Sequence, residues 1–279
     1  MKSTRFSVVE RVVSVVWGAD CLSPMISTAF GGFDPDRSNQ PAALAYRIVS
    51  TPEDVSFSLL RNGSAIDGGL DASQLLFALQ QDIVVSAQRV RPDLVFVHAA
   101  VVQREGRAFL LAAPSGSGKS TLCWALLHHG FRLMSDELAP VDPETLRIKP
   151  FPLAVTLKAQ PPQCCPLPAS TLETYRSHYI PIDALPSAPA TESAPIGAIL
   201  FVDYASSHAV PVFRKLSAAE AASRLYPNIL NALVHQSMGL DDAIRMTCSV
   251  PCWYLASAAL DETAKEVTGL LCALCGRSE

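Results

Sequence analysis

Apolar residues recur at helical spacing between Ser73 and Val90, where Leu75, Leu76, Leu79, Ile83, Val84 and Ala87 form one stripe, so this stretch is expected to be a helix packed on the part of the chain after it. The rest of residues 1–91 is weakly patterned. It offers a turn cluster from Gly31-Gly32 to Pro41, a strand-like Val55-Ser56-Phe57-Ser58-Leu59 and a turn at Asn62-Gly63. This N-terminal region discloses no role of its own.

The pattern sharpens at Leu94. Leu94 to Val102 reads as a buried strand, Gln103 to Gly106 as a tight turn and Arg107 to Ala113 as the returning strand of a hairpin. A glycine-rich loop comes next. Ser120 to His129 then has helical patterning, through Leu122, Cys123, Leu126 and Leu127, and stops at Gly130. Phe131 to Met134 is a short apolar strand delivering Ser135-Asp136-Glu137, and it is expected to lie beside the strand that feeds the loop. Phe151 to Lys158 reads as another strand. Residues 159–198 are rich in Pro, Ala and Ser and read as a surface insertion, with a mobile lid as the alternative. Ile196 to Val202 is a further strand, and Ser217 to Leu233 and Leu260 to Cys275 read as helices. Residues 92–279 are therefore expected to form an α/β domain with a mixed sheet, preceded by a smaller N-terminal region.

Composition narrows the function classes. The chain has 279 residues, 49% hydrophobic and 17% charged, which is enough apolar material for a substantial core. Its net charge of −4, with no Lys or Arg run, argues against a nucleic-acid backbone binder. Apolar runs fall short of the roughly 20 residues that cross a bilayer. Lys2 and Arg5 precede a valine-rich stretch, but Glu10 and Arg11 interrupt it, so no secretory leader is expected and the chain reads as cytosolic. Among the eight cysteines, Cys272 and Cys275 form a C-x-x-C inside a helical apolar run without a second such pair, so packed thiols are expected rather than a metal site.

Candidate chemistry lies in Ala113-Pro114-Ser115-Gly116-Ser117-Gly118-Lys119-Ser120-Thr121. It matches a phosphate-binding loop (Walker A), G-x-x-x-x-G-K-[ST], with Ala at the first Gly. Gly116 and Gly118 permit backbone conformations that turn successive N–H groups inward, and the helix after them adds the positive end of its dipole. Pro114 to Thr121 are the expected nucleotide contacts; Lys119 is expected on the β- and γ-phosphates of ATP and the Ser120 hydroxyl on Mg²⁺. Asp136 and Glu137 can divide labour, one on the metal or its water, the other accepting a proton from an attacking hydroxyl. Asp203, ending Ile199-Leu200-Phe201-Val202, is the rival metal-supporting acid. His98, among apolar residues, reads on its own as a satisfied core histidine.

These residues resemble, in order and spacing, the catalytic domain of bacterial HPr kinase/phosphorylase and its divergent HPr-kinase-related proteins. The motif-bearing match covers about Val95 to Lys158, through the strand with His98, the loop, the helix ending Leu126 to Gly130 and Phe131 to Glu137, and weaker similarity extends through the C-terminal region. His98 precedes Lys119 by 21 residues and Glu137 follows it by 18. The resemblance implies a P-loop core of the HPr kinase/PEP-carboxykinase type with ATP and Mg²⁺ as cofactors. It makes His98 an active-site residue, Lys119 a phosphate ligand and Ser120 a metal ligand. Glu137 takes the position of the carboxylate that removes a serine proton, with Asp136 beside it as the expected metal-side acid. The implied activity is transfer of the γ-phosphate to a hydroxyl, a serine of a protein or peptide partner; a nucleotide-binding regulatory or assembly module is the alternative. Two departures stand out. Pro150 to Lys158 contains no acid where the family carries a glutamate implicated in the reverse reaction, and the base position is Glu, not Asp. Phosphorylase activity and HPr as acceptor therefore do not follow. Lys158 reads equally as a cation near the transferred phosphate or as an ordinary strand-end lysine. No membrane or nucleic-acid partner is expected, and self-association into a homo-oligomer is left open.

Overall fold

The computed structural model describes residues 1–51, 55–114, 116–204 and 210–276; Ser115 of the loop and His208 lie outside the described residues. The N-terminal region is far more ordered than its weak pattern suggests. Strands β1 (Lys2–Val8) and β2 (Arg11–Trp17) form a hairpin, helix α1 (Leu22–Phe30) crosses to β3 (Leu44–Ser50), and β4 (Phe57–Arg61) and β5 (Ser64–Leu70) complete a five-stranded sheet in the order β1-β2-β3-β4-β5. Only the β2–β3 pair is parallel, as a helical crossover requires. Helix α2 (Ala72–Val90) starts at a capping box in which the Asp71 carboxylate accepts from the Gln74 amide and the Gln74 side chain accepts from the Asp71 amide.

The stripe on α2 packs chiefly against β4, β5 and α1, which precede it, rather than on the part of the chain after it. The same core holds Leu44, Phe57 and Leu59 together with Leu94, Phe96, Leu138, Phe151, Leu153 and Tyr179, so apolar packing runs continuously across residue 91.

The central sheet is built on β6 (Val95–Arg104) and β7 (Arg107–Ala112), the expected hairpin. Its turn residues Glu105 and Gly106 both take positive φ. Side-chain alternation divides two cores. Phe109 and Leu111 of β7 face helices α3 (Lys119–His128) and α6 (Leu260–Cys275). Ala108 and Leu110 face α4 (Ala218–Leu225) and α5 (Leu240–Ser249) on the opposite side. Being covered on both faces explains why β6 and β7 read as continuous apolar runs. Beyond β7 the order continues with β14 (Ala194–Tyr204), β16 (Cys252–Ser257) and β15 (Val212–Lys215), the β7–β14 and β14–β16 pairs being parallel. On the other flank, β8 (Arg132–Ser135) and β9 (Leu138–Val141) both pair with β6, and β10 (Arg147–Ile148) bridges β9 and β14. The chain is thus an α/β protein with mixed sheets.

Four expectations need correction. The acid-bearing strand β8 does not lie beside β7, because the hairpin fills one edge of β7 with β6 and the parallel strand β14 fills the other. Phe151 to Lys158 is strand only at β11 (Val155–Leu157), since Pro150 and Pro152 cannot donate to a ladder. The Pro-rich stretch is not a loose insertion. It carries β12 (Leu172–Glu173) and β13 (His178–Ile180), which with β11 make a three-stranded sheet, and it buries Cys165, Tyr179, Ile180 and Ala190. The expected helix from Ser217 to Leu233 ends as α4 at Leu225, with Pro227 two residues beyond. All eight cysteines are free thiols, and no helix among the described residues is long and apolar enough to cross a membrane.

Candidate active site

Strand β6 organises the site. Val101 pairs with Ser135 of β8 and His98 with Leu138 of β9, so the intervening Asp136 and Glu137 bend out of the ladder opposite Ala100 and Ala99. Ala99 pairs in turn with Ala112, the last residue of β7, which places the start of the phosphate loop at the same end of the sheet as the two acids. The acids therefore reach the loop across β6, one strand further away than a β7 neighbour would be.

Gly116 and Gly118 hold φ of +86° and +84°, a left-handed conformation that side-chain-bearing residues adopt at a penalty. A Cβ at Gly116 would meet nothing within 4 Å, so backbone conformation rather than crowding calls for glycine there. Gly118 is the N-cap of α3, its carbonyl accepting from the Leu122 amide at 2.9 Å, so amides of the first turn remain available to an anion. Ser117 donates its amide to the Pro114 carbonyl at 3.3 Å and closes the loop.

Lys119 is buried, with its Nζ donating to the Ala113 carbonyl at 2.7 Å and, more weakly, to Pro114 at 3.4 Å. The same ammonium lies 3.0 Å from His98 Nε2. An ammonium has donors only, so Nε2 must be the accepting nitrogen and the proton sits on Nδ1, which faces Glu137 Oε1 at 3.5 Å. Burial and the Lys119 charge push the His98 pKa down, which keeps the ring neutral in this tautomer. His98 is thus no core histidine: alone in the run Val95 to Gln103 it is not fully buried, and it links Lys119 to Glu137. Burial likewise lowers the pKa of Lys119.

Asp136 is buried, and burial pushes its carboxyl pKa up to about 7 against the opposing pull of the Thr156 amide, which donates to Oδ2 at 2.9 Å, and of the Ser120 hydroxyl. The other oxygen, Oδ1, has no hydrogen-bond partner. A buried carboxylate oxygen without a donor is costly by about 1–3 kcal/mol or more, and it is suited to a hard cation, which prefers oxygen ligands and needs only one or two from the protein. The residues present therefore fit Mg²⁺ held by Ser120 and Asp136. Asp203 does not converge on this point: it sits at the exposed end of β14, where its carboxylate accepts from the Tyr254 hydroxyl at 2.7 Å.

His98, Lys119, Ser120, Thr121, Asp136 and Glu137 line one cleft of about 430 Å³. Its far wall was not legible in the sequence. Phe77, Gln80 and Gln81 come from α2, so the N-terminal region closes the acid-bearing end, and Thr156 and Lys158 come from β11 and its exit. A helical stripe reveals that α2 is buried, but not that one edge of it faces an acidic bend. Glu137 remains partly open, its side chain about 40% exposed, and so can meet an incoming group. No known protein-family profile matches this chain, and neither does any curated protein.

Proposed function

We propose that the chain is an ATP-dependent phosphotransferase of the HPr serine kinase type, moving a γ-phosphate onto a hydroxyl, with a serine of a protein or peptide as acceptor. One observation carries the reading: a glycine-built anion loop with its buried lysine shares a cleft with one buried and one open carboxylate. The open N–H groups of the loop and the Lys119 ammonium supply the positive field for the transferring phosphoryl group. In exchange for a phosphate oxygen, Lys119 gives up its contacts with the Ala113 and Pro114 carbonyls.

Glu137 takes the proton of the attacking hydroxyl. It stands on the open side of the cleft, with its Oε1 3.5 Å from Nδ1 of the neutral His98. Ser120 and Asp136 would hold Mg²⁺, which when bound neutralises charge on the phosphates. Phe77, Gln80 and Gln81 bound the side on which an acceptor would enter.

The absence of any acid in Pro150 to Lys158 favours a second reading, a nucleotide-binding regulatory or assembly module without transfer. Incubation with labelled ATP and serine-bearing peptide or protein acceptors separates the two. Transfer by the wild type that is lost in Lys119→Ala and Glu137→Gln supports the kinase; nucleotide binding with equal, negligible transfer by all three supports the module.

A further inference from the structure

On the side of the phosphate loop away from Asp136 lies a second and larger cavity, of about 760 Å³, which shares Gly116, Gly118 and Thr121 with the acidic cleft. Its walls are the end of β14 (Val202, Tyr204), the start of α6 (Leu260, Asp261) and the segment carrying Pro162 and Cys164. Strand β14 approaches the loop closely: a Cβ built on Gly118 would lie 3.9 Å from the Tyr204 Cβ.

The two cavities differ in charge. The cations Lys119 and Lys158 line the first, beside Asp136 and Glu137 and the neutral His98, whereas no described Lys, Arg or His lines the second, whose one carboxylate is Asp261 in the first turn of α6. A phosphate is therefore drawn to the first side and disfavoured on the second, where the positive end of the helix is already offset by Asp261 and Glu262. A largely apolar cavity of this size, with a few polar groups at its edge, suits an uncharged, planar organic group.

We infer that this cavity is the nucleoside site, with the base stacked on Tyr204 and a nucleoside N–H or O–H donating to Asp261. The inference rests on the proposed phosphate role of the loop, because the shared Gly116 and Gly118 are what join the two halves of one ligand. Orientation follows: the triphosphate crosses the loop from the Tyr204 side towards Asp136, leaving its terminal phosphate at the acidic end. Tyr204 is 60% exposed and Asp261 is exposed, so substitutions at either leave the core intact.

Cys164, exposed and on the cavity wall, provides a reporter, with exposed Cys21 and Cys248 as internal references. The experiment measures N-ethylmaleimide labelling of each cysteine by peptide mass spectrometry, alone and with saturating Mg·ATP or Mg·tripolyphosphate, alongside calorimetric affinities for both ligands. Expected are at least tenfold slower labelling of Cys164 under ATP but not tripolyphosphate, unchanged Cys21 and Cys248, and ATP binding weakened about tenfold by Tyr204→Ala and about fivefold by Asp261→Asn with tripolyphosphate affinity retained. If ATP and tripolyphosphate bind equally well and Cys164 reacts at one rate throughout, the nucleoside lies elsewhere and the inference falls while the loop keeps its role. If neither ligand binds, the reading of the loop falls, and this inference with it.

Discussion

Replacing Asp136 by Asn should change how stability depends on pH. The buried carboxyl titrates near pH 7 in the folded chain against an ordinary value of 3.8, so between those values the folded state holds a proton that the unfolded state has released. The contribution of this one carboxyl to stability is then greatest below pH 3.8, declines as pH rises, and levels off above about 7, its total decline reaching about 4 kcal/mol. About 3 kcal/mol of it falls between pH 5 and pH 8. Asn cannot ionise, yet it keeps an oxygen for the Thr156 amide that now donates to Oδ2. Urea unfolding at pH 5 and pH 8 on wild type and Asp136→Asn measures the effect. The wild type should lose about 3 kcal/mol more than the variant over that interval, with equal m-values. Mg²⁺ should narrow the gap at pH 8 in the wild type alone, because it binds the charged form. Parallel pH dependences for the two proteins would refute the placement of an unpartnered buried carboxylate at this bend.

Other substitutions probe other parts of the fold and the site. Gly118→Ala forces φ of +84° on an alanine and should lower stability by about 1 kcal/mol while weakening nucleotide binding, seen by thermal unfolding and calorimetry. Gly269→Ala, inside α6 with nothing within 4 Å of the added Cβ, should instead raise stability by about 0.5–1 kcal/mol. Trp124→Ala empties a fully buried site and removes the Nε1 donor to the Cys165 carbonyl, so a loss of about 3–5 kcal/mol is expected in urea, with faster amide exchange near Cys165. Asp82→Ala strips the shared acceptor from Arg61 and Tyr46 beneath α2; about 3 kcal/mol should be lost, and Arg61→Met in the same chain should recover part of it.

The site was legible in the sequence where chemistry demands unusual residue types. Left-handed glycines followed by Lys and Ser announced the loop, and a strand ending in two acids announced the bend, because both patterns are rare without a reason. The hairpin from Val95 to Ala112 and the helix from Leu260 to Cys275 were legible too, the first from its continuous apolar runs and the second from its period. Strand adjacency was not. Whether β8 lies beside β6 or β7 depends on which edge the hairpin leaves open, and that is settled only when β14 docks in parallel. In the N-terminal sheet only β4 and the turn after it were legible, from Val55 to Leu59 and Asn62-Gly63; β1 and β5 carry polar residues on their outer faces, and their alternation is weak without knowledge of what they cover. Residues 159–198 misled through composition, since Pro and Ser read as loop while Trp124 in fact binds the segment to the core through the Cys165 carbonyl. The placement of His98 lay between levels, for an apolar strand hides a side chain that approaches Lys119.

Whether the loop and the neighbouring acids form one seat for Mg·ATP is decided by titration calorimetry of Mg·ATP into wild type, Lys119→Ala and Asp136→Asn. Expected are saturable one-to-one binding by the wild type, at least tenfold weaker binding by Lys119→Ala, and an Asp136→Asn variant that binds ATP with little further gain from Mg²⁺. No heat of binding in the wild type, or identical isotherms for all three proteins, would contradict a shared seat.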